Sequence, residues 1–182
     1  MVFLSIAAGL LSFVIGISAV SPAKCGRPPE ALIAHLRSSL PGYDTVPIAA
    51  FDSAWPAERP PTDAADGGPN CLTGDFDGNG LVDYVMFIRK GYVVELMAFH
   101  QMRSGGYRNY RVWTRDSFTY RAPLQMAIFR VPPGTLYGGG FVDAPEEKVL
   151  TKTPSVDLVF FETSSVTLYW RNGAYHPLWT SD

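Results

Sequence analysis

Apolar and polar positions follow different rules in successive parts of this chain. From Val2 to Val20 the residues are small or apolar and none is charged. Further on, Leu32, Ile33, Leu36 and Leu40 recur at helical spacing, with Pro28-Pro29-Glu30 before them and Pro41-Gly42 after. Proline suits a first helical turn, where its missing N–H has no intrahelical partner. The pattern predicts one amphipathic helix of about three turns. Beyond it the period changes to two, the mark of strands. Tyr43 to Phe51 reads as a short strand, with Pro47 confining it to an edge.

In the segment from Val82 to Arg89, Val82, Tyr84, Met86 and Ile88 alternate with Asp83, Val85, Phe87 and Arg89. Lys90-Gly91 is a turn, and Tyr92 to His100 returns as the second strand of a hairpin. Ser104-Gly105-Gly106 turns again into Tyr107 to Thr114, with Tyr107, Asn109, Arg111 and Trp113 on one side. A polar connection over 115–123 leads to a strand from Leu124 to Val131. Val156 to Glu162, Val166 to Arg171 and Ala174 to Trp179 predict a three-stranded meander, its last turn made by Asn172-Gly173, both of which tolerate positive φ. The expected fold class is α+β and mainly antiparallel β: one N-terminal helix packed on a meander sheet, followed by roughly seven or eight strands.

Two stretches lack a period. Residues 52–70 are rich in Pro, Asp, Ala and Gly and read as a long loop, with Asp63 and Asp66 as solvated charges. Pro132 to Phe141 carries Pro-Pro-Gly and Gly138-Gly139-Gly140. It lacks the Gly-Lys-Ser/Thr ending and following helix of a phosphate loop, so it reads as a flexible connection.

Length and composition narrow the picture. The 182 residues suit one domain, and 47% hydrophobic content supports a substantial core. Net charge is −2, with the basic residues scattered, which gives no nucleic-acid-binding patch. Residues 1–23 read as an export signal ending in Ser-Pro-Ala, which leaves 24–182 as a single domain with no stable membrane insertion. A retained anchor of about 20 residues is the alternative. Lys24 before Cys25 argues against lipoprotein processing. In an exported chain the two cysteines, Cys25 and Cys71, predict a disulfide.

Candidate chemistry concentrates in Gly74-Asp75-Phe76-Asp77-Gly78-Asn79-Gly80-Leu81-Val82-Asp83. Asp75, Asp77, Asn79 and Asp83 stand at positions 1, 3, 5 and 9 of a loop, with the Leu81 carbonyl at 7. Ca²⁺ takes six to eight oxygen ligands, and a short loop supplies most of them at this spacing. Gly78 and Gly80 let the backbone coil tightly. This is no EF-hand, because position 12 is Met86 and a strand follows. The competing reading is a turn held by Asp and Asn side chains bonded to their own backbone.

The loop resembles the calcium loop of FG-GAP and VCBS repeats, which joins two strands of a propeller blade. The resemblance implies propeller-blade-like hairpins and a structural Ca²⁺ held by Asp75, Asp77, Asn79 and Asp83, with Leu81 supplying its carbonyl. A single copy is present, too few for a standard propeller. The ending from Val166 to Asp182 is similar to that of small exported bacterial proteins of unassigned function. Some related calcium-loop proteins act in the periplasm as inhibitors or immunity proteins against lysozyme-like toxins. A periplasmic or secreted site, and an envelope or toxin-like protein partner, are what that likeness implies.

No catalytic motif stands out. His35, His100 and His176 lie far apart in sequence, and Glu146-Glu147 sits in a polar stretch. A non-enzymatic binding module is therefore the favoured class. The alternative is a cell-wall or carbohydrate-directed binder or hydrolase, with a platform drawn from Tyr107, Tyr110, Trp113, Tyr169, Trp170, Tyr175 and Trp179.

Overall fold

The computed structural model describes residues 25, 28–53, 67–113, 118–139, 147–161 and 163–181. The expected export signal at 1–23, and Asp63, Asp66 and Glu146, lie outside them. In chain order the elements are α1 (Glu30–Ser39), β1 (Asp44–Thr45), β2 (Gly67–Gly68), β3 (Cys71–Gly74), β4 (Asp83–Lys90), β5 (Val93–Gln101), β6 (Tyr107–Arg111) and β7 (Phe118–Thr119). They continue with β8 (Met126–Val131), β9 (Gly134–Gly138), β10 (Glu147–Thr151), β11 (Ser155–Phe160), β12 (Ser164–Arg171) and β13 (Ala174–Ser181).

The alternation in β4 is apolar on both faces, and this sets the layering. Val85 and Phe87 face one way, into a cluster with Leu96 and Ala98 of β5, Ile128 of β8, Val156 and Leu158 of β11, and Val166 and Leu168 of β12. Met86 and Ile88 face the other way, joining Met97 and Phe99 of β5, Leu32 and Leu36 of α1, and both cysteines. The first sheet runs β2-β3-β4-β5-β6, with β1 on β4 and β7 on β5. The second runs β13-β12-β11-β8. The main core is the space between the two sheets. All the strand pairs are antiparallel.

The helix lies on the outer face of the first sheet. Ten residues make a helix that is marginal alone, so its stability comes from docking Leu32 and Leu36. His35 reinforces the seat, with Nε2 2.6 Å from Asn109 Oδ1 on β6. Cys25 and Cys71 form the expected disulfide, with Cα atoms 5.6 Å apart, within the usual range. The bond ties the segment before α1 to β3 in the same apolar cluster. Its 46-residue separation corresponds to about 4 kcal/mol on the chain-entropy account.

The C-terminal meander forms as predicted. Asn172 (φ 52°) and Gly173 (φ 83°) make its last turn, and Pro177 stands on β13, the edge of its sheet. Three expectations need correction. Tyr43 to Phe51 is not one strand: after Asp44–Thr45 the chain passes Pro47 into a single 3₁₀ turn, Ile48–Ala50. Pro132 to Phe141 is not merely a connection, since Gly134–Gly138 pairs with Glu147–Thr151. Leu136 and Val149 of that hairpin cover Tyr169 and Leu178 on the outer face of the second sheet. Gly138 allows the approach, because a Cβ there would collide with Leu178. Trp113 does not share a side with Tyr107, for it packs in the inter-sheet core while Tyr107 faces the helix.

Removing Phe87, which is fully buried, tests this layering. Phe87→Ala should cost about 3–5 kcal/mol, and Leu36→Ala about 2–5 kcal/mol. Tyr92→Ala, at an exposed turn, should change stability by less than about 0.5 kcal/mol. Urea midpoints with unchanged slopes would check all three.

Candidate metal centre

Loop 75–82 joins neighbouring strands, and its ends are paired to each other, Gly74 opposite Asp83. Phe76 plunges from the loop into the inter-sheet core and is fully buried. With that anchor in place the rest of the loop must coil over a short span. Gly78 (φ 80°) and Gly80 (φ 84°) take the left-handed conformation that makes the coil possible.

The oxygen-bearing side chains hold this coil. Asp75 accepts hydrogen bonds from the N–H groups of Gly78 and Gly80, each at 2.9 Å. Asp77 Oδ1 accepts from Asn79 N at 3.0 Å, and its Oδ2 from Asn79 Nδ2 at 3.0 Å. Asn79 Oδ1 accepts from Leu81 N at 2.7 Å, and Asn79 Nδ2 also donates to the Gln101 carbonyl at 2.8 Å. Arg103 caps the Asn79 carbonyl at 3.0 Å. The turn held by its own side chains is thus present, and it does not compete with ion binding, since a carboxylate oxygen has more than one lone pair.

Asp83 differs from the rest in being fully buried. Its Oδ2 accepts from Phe76 N at 2.9 Å and Asp77 N at 3.3 Å, and its Oδ1 from Gln101 N at 2.8 Å. Burial nevertheless pushes its carboxyl up to about 7, with Asp77 adding to the rise and the three N–H bonds opposing it. A carboxylate so placed favours either a proton or a cation beside it.

His100 stands next to Asp83 across the β4–β5 ladder, one position beyond the Tyr84–Phe99 pair. Its ring lies between the sheets, 4.7 Å from Tyr110, 4.6 Å from Trp170 and 5.8 Å from Tyr175, centre to centre. Nε2 is 2.9 Å from the Tyr175 hydroxyl. Nδ1 is buried with no hydrogen-bond partner, and it points toward Asp77 Oδ2 at 3.5 Å. Burial lowers this imidazole to about 4, against the pull of Asp77 and Asp75. It also raises the Tyr175 phenol well above its ordinary value, with the charges of Asp83 and Asp77 adding.

Asp77, Asp83 and His100 thus each offer a ligand atom within 4.8 Å of the other two. Among the described residues they are the only such group of three, and Asp75 is not part of it. These residues fit a cation, because two carboxylates and a buried nitrogen without a partner converge. Of the sequence-predicted ligands, Asp77 and Asp83 are brought together. Asp75 and Asn79 lie in the same loop, where their oxygens accept bonds from its N–H groups, and Leu81 is half-buried beside them. His100 was missed as a site residue. Its signal was the Lys90–Val93 closure of the hairpin, because counting back from that turn sets Asp83 opposite His100.

The other histidines take no part. His35 docks the helix, and His176 stacks on Tyr169 with Nε2 3.1 Å from the Arg171 carbonyl. The seven aromatics considered for a platform are buried or half-buried, and Tyr110, Trp170 and Tyr175 enclose His100 instead.

The two shifted groups pull stability in opposite directions. Asp83 binds its proton more tightly in the folded state, so its contribution is present at low pH and is lost between about pH 4 and 7. His100 binds its proton less tightly when folded, so its contribution grows from about pH 4 to 6.5. In chelator, His100→Phe should therefore lose stability relative to the wild type as pH rises through this window. Urea midpoints read at several pH values check it, and a constant difference would contradict the assignment.

No family model matches this sequence, and neither a curated protein nor a solved structure matches it significantly.

Proposed function

We propose that this chain is an exported, non-enzymatic binding domain with a structural Ca²⁺ in its Asp-rich loop, presenting its outer strands to another protein. The observation that carries the reading is the convergence of Asp77 and the fully buried Asp83 in one tight loop whose coil Asp75 and Asn79 hold. A divalent cation would neutralise this concentration of negative charge. It would also clamp the start of β4, on which both apolar layers depend. The resemblance of the loop to FG-GAP and VCBS repeats points to Ca²⁺ as that ion, and an extracytoplasmic site of modest affinity is filled where calcium is abundant.

The Cys25–Cys71 disulfide supports an oxidising compartment, the periplasm or the exterior. Among the described residues no helix is long and apolar enough to cross a membrane. The outer face of the β9–β10 hairpin supports the interaction role. Thr135, Tyr137, Lys148 and Leu150 share that face by register. Leu150 is 72% exposed and Tyr137 55%, and tyrosine is among the residue types enriched as interface anchors. An envelope or toxin-like protein, bound as inhibitors and immunity proteins bind, is the partner class this suggests.

Excess Ca²⁺ should raise the melting temperature over that in chelator, and Asp75→Ala should abolish the rise beyond its own destabilisation. Melting curves that coincide with and without Ca²⁺ would sink the structural-calcium reading. Leu150→Asp should leave the calcium-dependent melting intact while weakening capture of any envelope partner.

A further inference from the structure

We propose that Asp77, Asp83 and His100 form a mixed carboxylate–imidazole site for a divalent transition ion of the zinc class, with His100 Nδ1 as the selecting donor. It shares Asp77 and Asp83 with the calcium reading but rests on a different residue, His100.

The nitrogen is the first argument. Ca²⁺ and Mg²⁺ take oxygen ligands, whereas imidazole suits zinc and its first-row neighbours. His100 is only 2% exposed, and its Nδ1 has no hydrogen-bond partner. A buried polar atom in that condition is uncommon, because it gives up its hydration with no bond in return. Its nearest charged neighbour, Asp77 Oδ2, is 3.5 Å away, too far for a good hydrogen bond. Two donors each about 2.0–2.1 Å from one ion, at a tetrahedral angle, stand about 3.4 Å apart. The gap therefore matches two ligands of a shared ion better than it matches a direct bond.

The surroundings favour the same assignment. A ligating imidazole is commonly fixed by a hydrogen bond from its other ring nitrogen to an oxygen. Here Nε2 meets the Tyr175 hydroxyl at 2.9 Å, and donation from Nε2 leaves Nδ1 bare and aimed at the carboxylates. Tyr110 and Trp170 pack against the ring and against each other, so it is positioned before any ion arrives. Asp83 Oδ1 accepts one hydrogen bond, from Gln101 N, and so keeps an open lone pair. Three protein donors leave a remaining position for water.

The test uses the full chain with its disulfide intact, stripped of metal and titrated with Zn²⁺ near neutral pH. The wild type should bind one Zn²⁺, and the ¹⁵N resonance of His100 Nδ1 should shift on binding while those of His35 and His176 stay in place. His100→Phe should weaken Zn²⁺ by more than the ~10–100-fold that loss of an outer hydrogen-bond partner costs, while keeping the Ca²⁺-dependent rise in melting temperature. The wild-type resonance test needs no variant, so a poorly folded His100→Phe does not blunt it. Saturating Zn²⁺ that leaves the His100 ring signals unmoved would overturn the site. Zn²⁺ that moves them in a protein whose melting ignores Ca²⁺ would sustain this site and remove the calcium reading.

Discussion

The buried carboxylate of Asp83 is the constraint on which the site end of the molecule depends. Its two oxygens receive N–H bonds from Phe76 and Asp77 in the loop and from Gln101 at the end of β5. One side chain thereby ties the loop, the first residue of β4 and the far end of β5 together. The tie carries an electrostatic cost, because a carboxylate in the interior loses its hydration. Three N–H donors offset part of that cost. The elevated proton affinity of Asp83 shows that they do not offset all of it, and the remainder is what makes the site receptive to a positive charge.

That end of the structure is held rigid by packing made for another purpose. Phe76 sits in the same inter-sheet core as Val85, Phe87 and Leu96, so the loop begins from a fixed point. On the opposite face of β4, Met86 and Ile88 hold the helix and the disulfide. A strand apolar on both faces cannot slip in register without moving both layers at once. The register that sets His100 beside Asp83 is thus protected by hydrophobic contacts far larger in sum than any interaction within the site.

Much of this was legible from local pattern. The helix was readable because Leu32 and Leu36 recur at its period between two proline signals. The hairpins at Lys90-Gly91 and Asn172-Gly173 were readable because short turns have few solutions. The β9–β10 hairpin was not readable, since its glycines look like a linker until Leu178 is seen to require one of them. The strand expected over Tyr43 to Phe51 is right only at Asp44–Thr45, because a two-residue pairing carries no period and nothing local marks the 3₁₀ turn after Pro47.

The sequence by itself determined the α+β class and the existence of an oxygen-rich loop, because each follows from residue type and spacing within short spans, and the disulfide partners, because the chain has two cysteines. Only the tertiary structure decided which of those oxygens converge, and that a histidine joins them. Asp77, Asp83, His100, Trp170 and Tyr175 come from a loop and four strands of two sheets. The β4–β5 register already sets His100 beside Asp83, but no spacing along the chain records the coil that brings Asp77 to them or the sheet packing that closes Trp170 and Tyr175 over the ring.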